Sequence, residues 1–108
     1  MSAIKRLQKE MIIRILEGEG KASQAQRRAI FNNAELTKPL SILIDKVVKY
    51  SYKVTDEDIT AVKDAGFSED QIFELVICAA TGQATRQYNA GIVALDAATK
   101  KERSNDAA

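Results

Sequence analysis

Apolar residues recur along this chain at intervals of three and four, and from the first turns onward the period is helical. Ile4, Leu7, Met11, Ile12, Ile15 and Leu16 fall on one stripe, with Lys5, Lys9, Glu10 and Arg14 mostly off it. That arrangement predicts an amphipathic helix with its apolar side turned to the core. Gly18 and Gly20 stop it. Ile13 lies opposite the stripe, either as a stray surface residue or as a subunit contact. A weaker second helix is expected from Ser23 to about Asn33, with only Ala25, Ala29, Ile30 and Phe31 available for burial. Thr37-Lys38-Pro39 opens a third, since proline is tolerated in a first turn where its missing N–H has no partner to lose. Leu40, Leu43, Ile44, Val47 and Val48 form its buried face.

Two helix-start signatures follow. Thr55-Asp56-Glu57-Asp58 places a hydroxyl at the N-cap and a carboxylate three residues on, so each side chain can satisfy the other's backbone N–H. Ile59, Val62 and Ala65 are the apolar side of that short helix, and Gly66 is placed to close it in the left-handed conformation. Ser68-Glu69-Asp70-Gln71 is the second such box, opening a long helix that runs to about Ala98 without proline. No segment alternates as a strand does. The expected fold is therefore all-α, about five helices with a long C-terminal one and no β-sheet. It forms a single domain over residues 1–98, with 99–108 as a frayed polar tail.

The long helix holds most of the candidate chemistry. From Ile72 to Ala80 it is apolar nearly all round, broken by Glu74 and Cys78, as in a central helix covered by its neighbours. Ala79, Ala80, Gly82, Ala84, Ala90, Gly91, Ala94 and Ala97 allow close helix approach, within one subunit or between subunits. Glu74, Cys78, Thr81, Thr85 and Tyr88 lie along one polar stripe, while Gln83 and Gln87 fall among apolar positions. A glutamine so placed belongs to a structural hydrogen-bond network or to a small polar pocket. Glu74 wants a cation if buried, and Arg86 or Arg28 can offer one; it reads as an ion-pair partner or as a pocket residue.

Composition then narrows the chemistry. The chain of 108 residues has no histidine and a single cysteine. An intramolecular disulfide is excluded, and a zinc site would have to be built from carboxylates alone, a poor cage for that ion. No cofactor or metal is expected. Sixteen basic and fifteen acidic side chains leave a net charge of +1, too balanced for an electrostatic claim on nucleic acid. No apolar run resembles a secretory leader or a membrane span, so a cytoplasmic location is expected. Cys78 has Ile77 and Ala79 beside it and Glu74 one turn back, surroundings that disfavour a thiolate. It reads as a buried structural cysteine more readily than as a one-cysteine redox centre.

The stretch Tyr52-Lys53-Val54-Thr55-Asp56-Glu57-Asp58-Ile59, then Ala65-Gly66-Phe67-Ser68-Glu69-Asp70-Gln71-Ile72, and an Ala-rich helix ending in Arg86 to Leu95, resembles the C-terminal half of the AhpD-like carboxymuconolactone decarboxylase family. The likeness covers roughly residues 39–98, and its specificity lies in the order and spacing of elements that are individually common. It implies an all-α subunit assembling as a trimer or hexamer. It also implies one of two chemistries: a peroxidase using a Cys-x-x-Cys pair with a nearby Glu and His, or a lactone decarboxylase whose site employs histidine. Neither site can be carried over. The redox motif would lie upstream of Thr55, where residues 23–52 contain no cysteine, and Cys78 sits in the last helix instead. A dithiol peroxidase needs a second thiol to resolve the sulfenate.

Three functional expectations follow. One is a catalytically divergent family member, a helical oligomer binding a small molecule or a protein partner. The alternative is an enzyme with relocated chemistry at a subunit cleft, with Glu74 and Cys78 as candidate catalytic groups and Gln83, Arg86, Gln87 and Tyr88 as candidate binding groups. The third is a subunit whose partner chain supplies the missing cysteines.

Overall fold

Hydroxyl side chains open three of the helices. Ser23 Oγ accepts from the Gln26 N–H, Thr55 Oγ1 from Asp58 and Ser68 Oγ from Gln71. The last two are reciprocated, Thr55 N–H donating to Asp58 Oδ2 at 2.9 Å and Ser68 N–H to Gln71 Oε1 at 2.8 Å. Both capping boxes expected from the sequence are therefore formed. The computed structural model describes the backbone of residues 2–107 and the side chains of residues 3–100. Its elements are α1 (Ser2–Glu17), α2 (Gln24–Phe31), α3 (Leu40–Lys49), a single 3-10 turn (Ser51–Lys53), α4 (Asp56–Asp64) and α5 (Glu69–Ala107). Among the described residues there is no strand, and no helix is long and apolar enough to cross a membrane.

Two helices end in the same way, by a residue at positive φ whose own N–H and the next one fold back on the last carbonyls. After α4 this is Gly66 at φ 107°, with Gly66 N–H on Lys63 O and Phe67 N–H on Val62 O. After α2 it is Asn33 at φ 56°, with Asn33 N–H on Ile30 O and Ala34 N–H on Ala29 O. Asparagine tolerates this conformation better than any residue with a larger or branched side chain. α3 and α4 are joined by an ion pair: Lys46 Nζ lies 2.8 Å from Asp58 Oδ2. The hydrogen bond from Lys46, helped by the Thr55 N–H, holds the Asp58 carboxyl below its ordinary pKa.

The core is Ile30 from α2, Leu40, Leu43 and Ile44 from α3, Val62 from α4, and Ile72, Leu75, Cys78 and Ala79 from α5. α5 packs against each of the other four α-helices, so it is the central element that its apolar run implies. It is not covered on every side, because Phe73 remains 67% exposed. α2 runs parallel to α5, its start beside Glu74 and its end beside Gly82 and Arg86. α1 runs antiparallel, Arg14 and Ile15 sharing a cleft with Glu74 and Ile77, and Gln8 and Met11 one with Ala80 and Tyr88.

α1 departs from expectation. Only Leu16 of its stripe is buried, with Ile12 and Ile15 half-buried, whereas Ile4, Leu7 and Met11 are exposed. The reason is geometric. α2, α3 and α4 pack on the first half of α5, so the N-terminal half of α1 has only the projecting second half of α5 beside it. The molecule measures 64 × 28 × 21 Å, with a radius of gyration of 17.7 Å. A compact domain of this length would have about 13 Å. Thr99 and Lys100 continue α5, and Thr99 Oγ1 donates to Leu95 O. The remainder of the tail expected over 99–108 lies outside the described side chains.

Candidate functional site

Glu74 is half-buried on the second turn of α5, and its carboxylate faces backbone rather than a cation. Lys21 N–H donates to both oxygens, at 2.8 and 2.9 Å, and Ala22 N–H donates to Oε2 at 2.7 Å. These amides lie just ahead of α2, where a negative charge is favoured by the helix dipole and by N–H groups with no helical acceptor. Gly20 permits the approach, since a Cβ there would overlap the carboxylate. Gln71, one turn earlier, adds a bond from Nε2 to Lys21 O. Neither arginine expected as a partner reaches Glu74: Arg28 pairs with Glu17, and Arg86 binds elsewhere.

Arg86 grips the opposite end of α2. Its Nη1 donates to Phe31 O at 2.6 Å, and its Nη2 to Gln83 Oε1 at 3.0 Å. Phe31 is the last residue of α2, so the guanidinium supplies a donor to an unsatisfied terminal carbonyl at the negative end of the dipole. Gly82 lies beneath that carbonyl, its missing side chain letting the two backbones touch. α5 thus holds α2 by an anion at one end and a cation at the other. Glu74 and Arg86 are twelve residues apart, roughly 18 Å along the helix. They do not converge on a common cavity.

The remaining candidates divide between core and surface. Cys78 is fully buried. Burial pushes its thiol above the ordinary pKa, the Arg27 cation opposes this, and Glu74 adds to it. Tyr88 lines the groove between α1 and α5, where Thr85 Oγ1 donates to Thr81 O, while Gln87 faces outward. We expect a disulfide reagent to leave Cys78 unmodified in native buffer and to titrate one thiol per chain in concentrated urea. Rapid native labelling would show an open thiol.

Sequence reasoning missed Arg27. It is only 5% exposed, and its Nη1 donates to Ile15 O at 3.1 Å and Gly18 O at 2.7 Å, capping the end of α1. Among the described residues its Nε is the buried side-chain polar atom left without a partner. The one signal available was its place three residues before Ile30, on the same face of α2. Beside it lies a cleft of about 170 Å³ that also touches Arg14, Glu19 and Glu74. A larger, open concavity of about 660 Å³ is lined by Glu19, Lys21, Asp70, Phe73 and Glu74, within the range of about 300 Å³ upward in which drug-sized ligands bind. Among the described residues no three acidic or cysteine side chains cluster as a metal-ligand set.

Taken together, the arrangement clamps α2 at both ends and buries a thiol. Comparison with family models, with curated proteins and with solved structures finds no match to this chain.

Proposed function

We propose that this chain is a catalytically divergent relative of the AhpD-like carboxymuconolactone decarboxylase proteins, a cytoplasmic helical subunit that self-assembles, as a trimer or hexamer, and binds a small molecule or a protein partner. The resemblance supports it through two boxed helix starts on either side of Gly66, followed by a long helix. The observation that carries the divergent part is the employment of Glu74, Gln83 and Arg86. All three are engaged in holding α2, and Cys78 is sealed in the core. The general acid–base groups that act most readily near neutral pH are imidazoles, and the chain has none.

Peroxide consumption with a dithiol reductant tests this reading. The purified protein and its Cys78→Ser variant are both expected to run at the rate of buffer alone. Turnover by the native chain that disappears in Cys78→Ser would overturn the divergent reading and favour relocated chemistry around Glu74, Cys78 and Arg86.

A further inference from the structure

A guanidinium does not shed its proton inside a protein, so its burial has to be matched by acceptors or by an anion. Arg27 is buried, and one of its nitrogens is satisfied: Nη1 donates to Ile15 O and Gly18 O. Nε is buried without an acceptor. Among the described residues Nη2 donates in no hydrogen bond, and no carboxylate forms an ion pair with Arg27. Nε and Nη2 share one edge of the guanidinium, the fork that the two oxygens of a carboxylate fit. The two α1 carbonyls hold the group in place, so this unpaired edge is pre-organised.

Arg27 lines the cleft between the end of α1 and α5, together with Arg14, Ile15, Glu19, Glu74 and Ile77. We propose that this cleft binds a small monocarboxylate, its head on the Nε–Nη2 edge of Arg27 and its short hydrocarbon chain between Ile15 and Ile77. The inference names a site and a ligand class for the small-molecule part of the reading above, and rests on it. Arg14 adds a second cation, and among the described residues it has no ion-pair partner. Glu19 and Glu74 limit the charge the cleft accepts. Glu74 spends its carboxylate on the Lys21 and Ala22 N–H groups, which leaves room for one negative charge on a ligand and disfavours two. The size agrees. At about 170 Å³ the cleft has roughly the room of six waters at ~30 Å³ each, which suits an acid of about four carbons. The larger concavity nearby lacks these features, since Glu19, Asp70 and Glu74 line it against the one cation of Lys21.

Amide-resolved NMR of the full chain, titrated with sodium butyrate against sodium chloride at equal concentration, tests the assignment. Butyrate should bind saturably with a Kd of about 1 mM or below, moving the amides of Ile15, Gly18, Arg27 and Ile77. Acetate should bind more weakly, having no chain to lay on the two isoleucines. Arg27→Lys keeps the charge and removes the fork, and should weaken butyrate about tenfold or more. Ile77→Phe fills the cleft without touching the Arg27 cap and should abolish binding with helical circular dichroism retained; it decides the matter where Arg27→Lys loses helix. No saturation up to about 50 mM butyrate would overturn the site. Chloride reproducing the same shifts, phosphate binding more tightly than butyrate, or Ile77→Phe binding as the native chain does would overturn it equally. None of these results alters the peroxide measurement, so failure of this site and failure of the reading above are told apart.

Discussion

Glu74→Ala is expected to lower the unfolding free energy by about 3 kcal/mol, since hydrogen bonds to a charged group contribute about 1.5–3 kcal/mol each and several are lost together. The carboxylate takes the N–H groups of Lys21 and Ala22, and nothing else nearby accepts from them. Lys21 is exposed, so water replaces part of the loss at its amide, which keeps the figure below the simple sum, whereas the Ala22 amide belongs to a buried residue. Glu74→Gln should fall between, because the amide offers one acceptor oxygen and turns its NH₂ toward a donor. Urea denaturation monitored by circular dichroism measures both. A midpoint for Glu74→Ala indistinguishable from that of the native chain would show that the clamp contributes nothing.

Gly82→Ala is the second. In a free helix this change stabilises by about 1 kcal/mol. Here the added Cβ would meet the backbone of Phe31, with its carbonyl carbon at 2.9 Å and its Cα at 3.0 Å, and its oxygen closer still. Backbone cannot swing aside as a side chain does, so α2 must shift away from α5. That shift lengthens the Arg86–Phe31 bond and loosens Ile30 in the core. Overpacking of this kind costs about 1–3 kcal/mol. Set against the helix-propensity gain, this leaves an expected net loss of about 1 kcal/mol, read from the same denaturation experiment. A stabilised Gly82→Ala would mean that the α2–α5 contact is looser than its geometry.

Glu74 and its counterpart Arg86 also mark where the sequence was legible and where it was not. Thr55, Ser68, Gly66 and Pro39 announce helix ends because capping is local: the partners are three or four residues away, and the chemistry of one side chain decides the outcome. Glu74 and Arg86 were legible as polar interruptions of an apolar helix, but their partners lie 52 to 55 residues away and are backbone groups. Backbone N–H and C=O groups occur at nearly every residue, so nothing in the side-chain pattern says which ones a carboxylate or a guanidinium will meet. Arg27 was hidden for the same reason. A cation on a Gln- and Arg-rich helix reads as solvent-facing until the end of α1 is placed against it. The stripe of α1 misled in the other direction, since periodicity identifies an apolar face without saying whether this chain or another one covers it.

The packing of α5 against every other helix also bears on how the protein is made. Synthesis runs from α1 toward α5, so the first four helices are made before α5 is available to them. Until α5 emerges, the main helix pairings are α1 with α2 and α3 with α4, each pair too small to exclude water from the leucines and isoleucines it carries. The nascent chain therefore has no partial body to settle into. Closure waits for α5, and then all four earlier helices find their seat at once.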